Sequence, residues 1–240
     1  MAQGVCWVAR LLGVPATVVA PDHAPQAKLD AIERLGGRVI PVPFDTWWET
    51  MESGAYPGIT GLFVHPVLDE RVMAGNGVIG LELAEQLGTL DAVLVPWGGG
   101  GLSTGIASAL AAVSPETQVV ACEPETGAPF AASFAAGRRV DVDYAPSFVD
   151  GAGSKAVLPA MWERAQALLA GAVAVPLDDV AAAVRLLATR GRVVAEGAGA
   201  LALAAALAGH GGTGKVVCIV SGGTIDAEML ASILVAGVPE

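Results

Sequence analysis

Asp91-Ala92-Val93-Leu94-Val95-Pro96-Trp97-Gly98-Gly99-Gly100-Gly101-Leu102 is the stretch that decides the fold. Its first six residues make an apolar, β-rich run, and a helix-like stretch from Ser103 to Val113 follows the glycines. A strand that turns through glycine into a helix is the repeating unit of an open α/β sheet. Without Cβ atoms the backbone can turn sharply and approach a ligand closely. The N–H groups at the helix start have no partner inside the helix and point toward any anion placed there. The helix dipole adds a modest term in favour of phosphate. Gly98, Gly99, Gly100, Gly101 and Leu102 are therefore candidate phosphate-binding residues. A tight strand-to-helix turn without a ligand is the alternative. The loop is not the G-x-G-x-x-G dinucleotide fingerprint, and no Gly-Lys-Ser/Thr follows as a P-loop requires.

Outward from this stretch, short β-rich runs alternate with longer helix-like ones, the pattern of parallel sheets covered on both faces. Strands are predicted at Ala16–Ala20, Arg38–Val42, Leu62–Val64, Ala92–Val95, Gln118–Cys122, Ala172–Val175 and Val216–Val220. Helices are predicted at Ala2–Leu12, Pro25–Leu35, Thr46–Met51, Val72–Leu87, Leu102–Val113, Leu158–Leu169, Asp178–Arg190, Gly197–Leu207 and Asp226–Leu234. Asp178 offers an N-cap and Gly191 a stop for one of them. The Pro/Gly-rich stretch from His65 to Gly77 is the best candidate boundary. A chain of 240 residues can bury a full core and hold one or two domains.

Composition removes several function classes. A formal net charge of −11, with no basic stripe to offset it, argues against nucleic acid. No uninterrupted apolar run reaches the eighteen or more residues that a membrane span needs. Cys6, Cys122 and Cys218 lie in apolar runs without metal-like spacing, and read as buried thiols of a cytoplasmic protein.

Six further residues carry chemistry by type. Ser221 ends an apolar strand and begins Ser-Gly-Gly-Thr, at the carboxyl edge where ligands of open sheets bind; the alternative is a helix cap. Glu196 precedes Gly197-Ala-Gly199 at a predicted helix start facing the same edge, where a carboxylate also complements the helix dipole. His65 in Phe-Val-His-Pro could serve as a base, or sit in a turn where two domains join. Lys28 reads as part of a solvated helix face, Lys155 follows Gly151-Ala-Gly153 in a loop, and Lys215 precedes a strand.

The ordered set of motifs resembles the threonine/serine dehydratase (ammonia-lyase) branch of the fold-type II pyridoxal-phosphate enzymes. It comprises Gly98–Leu102, Val120-Ala-Cys-Glu-Pro-Glu125, Val194-Ala-Glu-Gly-Ala-Gly-Ala200 and Ile219-Val-Ser-Gly-Gly-Thr-Ile-Asp226. Phe63-Val-His-Pro66, Met73-Ala-Gly-Asn-Gly-Val-Ile-Gly-Leu-Glu82, Ala2-Gln-Gly-Val5, Leu11-Leu-Gly-Val-Pro15 and Ala24-Pro-Gln-Ala-Lys28 belong to it as well. The resemblance runs from Met1 to about Leu234.

It implies an α/β fold with open parallel sheets in two domains, the tryptophan synthase β-like fold, and pyridoxal 5'-phosphate as cofactor. It places Ser221 against the pyridine nitrogen and Glu196 near the ring. Relatives carry, upstream, the lysine that forms the Schiff base, followed by a Ser-x-Gly-Asn turn; this sequence opens at Met1 inside that turn. The expectation is an N-terminally truncated chain, with residues 1–65 as a partial small domain and 66–240 as a partial large one. No catalytic residue is then expected in it, and the chain as given is expected to be inactive. The implied reaction converts a β-hydroxy amino acid to a 2-keto acid and ammonia, in a homo-oligomer when full length. A serine racemase or β-replacement synthase of the same fold, and a non-catalytic fragment or pseudoenzyme, are the alternatives. Some relatives bind a divalent cation at the position of Glu123, with a carbonyl four residues on and a carboxylate six on. Here those positions are Gly127 and Pro129; proline supplies no side-chain oxygen, so no metal is expected.

Overall fold

The structure, a computed structural model, describes residues 1–235, 238 and 239; Ala236, Gly237 and Glu240, near the end of the 66–240 range, lie outside the described residues. The chain begins with α1 (Ala2–Leu12), β1 (Thr17–Pro21), α2 (Gln26–Arg34), β2 (Arg38–Val42) and α3 (Phe44–Ser53). β1 and β2 form a two-stranded parallel sheet in register from Thr17↔Arg38 to Pro21↔Val42, with α2 as the crossover that parallel strands require. Leu62–Val64 is not a strand: it runs as irregular chain with Leu62 exposed, because no neighbouring strand takes up its backbone groups.

Further on, α4 (Glu70–Leu87) lies along α5 (Gly101–Val113), and β3 (Ala92–Pro96) leads into α5 through the glycines. Next come β4 (Gln118–Pro124), α6 (Pro129–Ala136), α7 (Pro159–Leu168), β5 (Gly171–Val175), α8 (Leu177–Leu186), α9 (Gly197–Leu207), β6 (Val216–Cys218) and α10 (Ala227–Val235). The second sheet is parallel, in the order β5-β4-β3-β6.

β3 is buried along its whole length because it is paired on both sides and covered on both faces. Its side chains alternate between two cores, as a pleated strand dictates. Val93 and Val95 join Ile106, Leu110, Phe130 and Met161 on one face; Leu94 joins Val180, Leu201 and Ile233 on the other. Apolar residues surround α9 on all sides, which suits a helix buried in the second core.

Two local signals work differently from expectation. The N-cap of α8 is Pro176, with Asp178 in the first turn, where its charge favours the helix N-terminus. The helix ends in a π turn, Leu187–Gly191, and the left-handed cap falls on Arg192 (φ 58°) rather than on Gly191. Helix α6 was not anticipated. It starts with Pro129 in its first turn, and its N–H groups are satisfied from a distance by Glu123.

Candidate active site

Chain order and spatial order part company between β3 and β6. From β3 the chain moves through β4 to β5 on one side, and returns as β6 on the other. Loops leaving the carboxyl ends of strands at such a switch point diverge and leave a crevice. The glycine loop leaves β3 there, and the Ser221–Thr224 segment follows β6.

The glycine loop is held from several directions. Trp97 N–H donates to Cys122 O (2.8 Å), Gly153 N–H donates to Trp97 O (3.3 Å), and Asn76 of α4 donates from Nδ2 to Gly101 O (3.3 Å). A Cβ on Gly99 would overlap Val67 Cγ2, so the wall of the loop is protein side chain already in van der Waals contact. Gly100 has φ 92°, a backbone state that glycine adopts without strain. Among the described residues, the backbone N–H groups from Gly98 through Leu102 have no acceptor. A row of unpaired donors opening a thirteen-residue helix is the donor set that a phosphate group needs.

A cavity of about 650 Å³ opens beside this loop, lined by Gly98, Gly99 and Trp97, by α3, by the segment before α7, and by Thr224, Ile225 and Asp226. Two of the seven expected site residues, Gly98 and Gly99, thus face it directly. Gly100 and Gly101 are packed behind them, against Trp97 and against the Pro66 and Val67 carbonyls. Leu102 packs on the first core. Ser221 lies outside the cavity walls and is exposed, whereas Thr224 of the same loop is a wall residue.

Glu196 sits beside the Ser221 loop: its N–H donates to Gly222 O (3.1 Å), and a Cβ on Gly222 would overlap its carboxylate. Its side chain reaches the cavity through Lys28. Lys28 does not belong to a solvated face, as the sequence suggested. It lines the cavity, is hydrogen-bonded to Asp150 Oδ2, and stands 3.0 Å from Glu196 Oε2. Burial acts against the Lys28 ammonium, but Asp150 and Glu196 outweigh it and raise its pKa. Burial raises the Glu196 carboxyl too, with Lys28 opposing. A second link joins the same elements: Ala27 N–H at the start of α2 donates to Asp226 Oδ1 (2.8 Å). Helix periodicity alone could not find Lys28, because its two partners lie more than a hundred residues away in sequence.

His65 is a turn histidine. Nδ1 accepts from the N–H groups of Val67 (3.0 Å) and Leu68 (2.9 Å), which leaves Nε2 to donate to Met51 O (2.8 Å). Both nitrogens are engaged by backbone, so the ring ties α3 to the segment carrying Val67. Glu123 is also occupied: its two oxygens accept from Phe130 N–H (3.1 Å) and Ala131 N–H (2.7 Å) at the head of α6. Burial pushes this carboxyl up to about 8, against the pull of those amides.

The family model for pyridoxal-phosphate dependent enzymes matches residues 1–222. The chain belongs to that family. Against an L-threonine ammonia-lyase of Thermotoga maritima it is 38% identical over 98% of its own length, and spans 59% of the relative's. The structure of the processed form of threonine deaminase isoform 2 from Solanum lycopersicum superposes with a TM-score of 0.83 at 31% identity, over 98% of this chain and 71% of that one. The structure of maize serine racemase superposes with a TM-score of 0.83 at 28% identity, over 96% and 72%. For a pyridoxal-phosphate dependent enzyme the glycine loop is the fitting element, since its unpaired donors suit the cofactor's phosphate. Trp97 adds a buried Nε1–H that has no acceptor among the described residues.

Proposed function

We propose that this sequence belongs to a threonine/serine-type ammonia-lyase, acting on a β-hydroxy amino acid to give a 2-keto acid and ammonia. The observation that carries this is the unpaired N–H row of Gly98–Leu102 at the switch point of the sheet. Relatives named for threonine ammonia-lyase and threonine deaminase activity support it. Pyridoxal phosphate, when bound, supplies an electron sink that acidifies the α-hydrogen of an amino acid. The chain's own residues then act in four ways. The loop donors bind the phosphate, with Gly98 and Gly99 nearest the cavity and Gly100, Gly101 and Leu102 completing the helix start. Val67 and Trp97 exclude water from the loop's other side. Lys28, Asp150 and Glu196 hold α2 over the cavity. Ser221 offers a neutral hydroxyl rather than a carboxylate at the β6 side of the edge.

None of the three lysines supports turnover by these 240 residues: Lys28 is held as an ammonium between two carboxylates, and Lys155 and Lys215 are exposed. We therefore propose that this 240-residue chain binds the cofactor without a covalent link. The test is a pyridoxal-phosphate titration followed by borohydride reduction and mass spectrometry. Saturable, dialysable binding with no trapped adduct is the expected result. An adduct on Lys28, with keto-acid formation, would overturn it.

The division near residue 65 is supported by the first sheet lying wholly before it and the second wholly after. Three free cysteines support a reducing compartment, the cytoplasm. Among the described residues no helix is long and apolar enough to cross a membrane. Trp7, Leu11 and Leu12 of α1 are exposed, which supports association between copies, to be measured by light scattering.

A further inference from the structure

Aromatic residues are scarce in this chain, yet six of the twelve line the cavity beside the glycine loop. Phe44, Trp47 and Trp48 come from α3, Tyr144 and Phe148 from the segment before α7, and Trp97 from the end of β3. Phe44 is the hub. Its ring centroid lies 5.5 Å from Trp47, 6.4 Å from Trp48 and 6.2 Å from Tyr144. The last two pairs are stacked and near-parallel, at 19° and 14°, whereas Trp47 is tilted to both Phe44 and Trp48; together the four rings form one wall of the cavity.

Rings that only complete a core are sealed, as Phe130 is at 0% exposure and Trp97 at 1% where the two stack. Phe44, Trp47, Trp48 and Tyr144 stay partly open where they line the cavity. Charge offers little competing recognition there, because Lys28 is engaged by Asp150 and Asp226 by Ala27 N–H. Two indoles and a phenyl ring on one helix, beside a phenol from the segment before α7, form a surface for a flat apolar group. The methyl of threonine or the hydrogen of serine would leave those faces wet.

We propose that this wall selects an amino acid whose side chain is aromatic or comparably large and apolar. Resting on the function proposed above, the substrate class is a β-hydroxy amino acid bearing an aryl group on its β-carbon. Trp48 and Phe44 are the residues that set the preference.

The test titrates L-threo-3-phenylserine and L-threonine separately against the protein in the presence of pyridoxal phosphate, read by tryptophan fluorescence and calorimetry. Phenylserine is expected to bind at least tenfold tighter, equivalent to about 1.4 kcal/mol. Trp48→Ala brings the ratio below about threefold, and Trp48→Phe, which keeps a ring, restores it. A thermal melt shows whether Trp48→Ala is folded; where it is not, Phe44→Leu takes its place with the same expected fall. Equal or tighter threonine binding, no detectable phenylserine binding, or an unchanged ratio in the variants overturns the inference. A parallel titration with pyridoxal phosphate alone separates the two levels. If the cofactor does not bind, the site reading falls and takes this inference with it. If it binds and phenylserine has no advantage, only the aromatic wall loses its role.

Discussion

Beyond β3 the chain enters Gly98–Leu102, walled by Val67 and Trp97; Asn76 donates to its Gly101 O, and Cys122 O holds the Trp97 N–H just ahead of it. Beyond β6 it enters Ser221–Thr224, where Ser221 and Gly223 are exposed and only Thr224 reaches the cavity wall. Both stretches read alike in sequence: apolar strand, glycine turn, helix. Their surroundings separate them. β3 is an interior strand with a partner on each side, whereas β6 pairs only with β3 among the described residues and spans three residues. A motif specifies the turn, and the layers around it specify whether the turn is enclosed.

pH should break the comparison most strongly, since Glu123 lies on the enclosed side, next to Cys122 that anchors Trp97. Its carboxyl rises from 4.5 in the unfolded chain to about 8 when folded, so the folded state binds the extra proton. The stabilisation is complete below about 4.5 and is lost as pH rises through about 8. At about 1.36 kcal/mol per unit the window holds roughly 5 kcal/mol. Urea melts between pH 5 and 9 should show stability falling with pH, and Glu123→Gln should flatten that slope.

Next in size is Gly99→Leu, which drives a side chain into Val67 and disrupts the donor row. Pyridoxal-phosphate affinity is expected to fall at least a hundredfold, about 2.7 kcal/mol, by calorimetry. Gly199→Ala sharpens the comparison from the other half of the edge. Its Cβ would overlap Gly222 O, so a loss of about 1–3 kcal/mol in denaturant stability is expected even though Ser221 next door is exposed. The smallest effect belongs to Ser221→Ala, which should leave stability within about 0.5 kcal/mol. A cost of about 2 kcal/mol there would mean that the β6 loop is as enclosed as the β3 loop.

Most of the fold was legible because its signals are local. Arg38–Val42, Ala2–Leu12 and Gly197–Leu207 have the bounds their patterns predict, and the β-rich runs from Ala92 to Val175 fall in the second sheet. Leu62–Val64 failed because a β-rich tripeptide needs a partner that periodicity cannot supply. Helix α6 was missed because the residue satisfying its start, Glu123, belongs to the preceding strand. At the site, the glycine loop could be found from four consecutive glycines, whereas Lys28 gained its place only from Asp150 and Glu196. The aromatic wall left one trace, the adjacent Trp47 and Trp48 in a chain poor in rings. Their gathering with Tyr144 is a product of tertiary structure.

The pairing of Ala92 with Val216 also sets an order of events during synthesis. A ribosome extends the chain at roughly 5–20 residues per second, N-terminus first. The glycine loop therefore emerges many seconds before β6, and until then β3 has an open edge on the side that β6 will cover. The crevice at the switch point is finished only once β6 has emerged. Nascent chains arrested between Val175 and Val216 would already hold the loop without its second wall, and they are the species in which non-native strand pairing at β3 should concentrate.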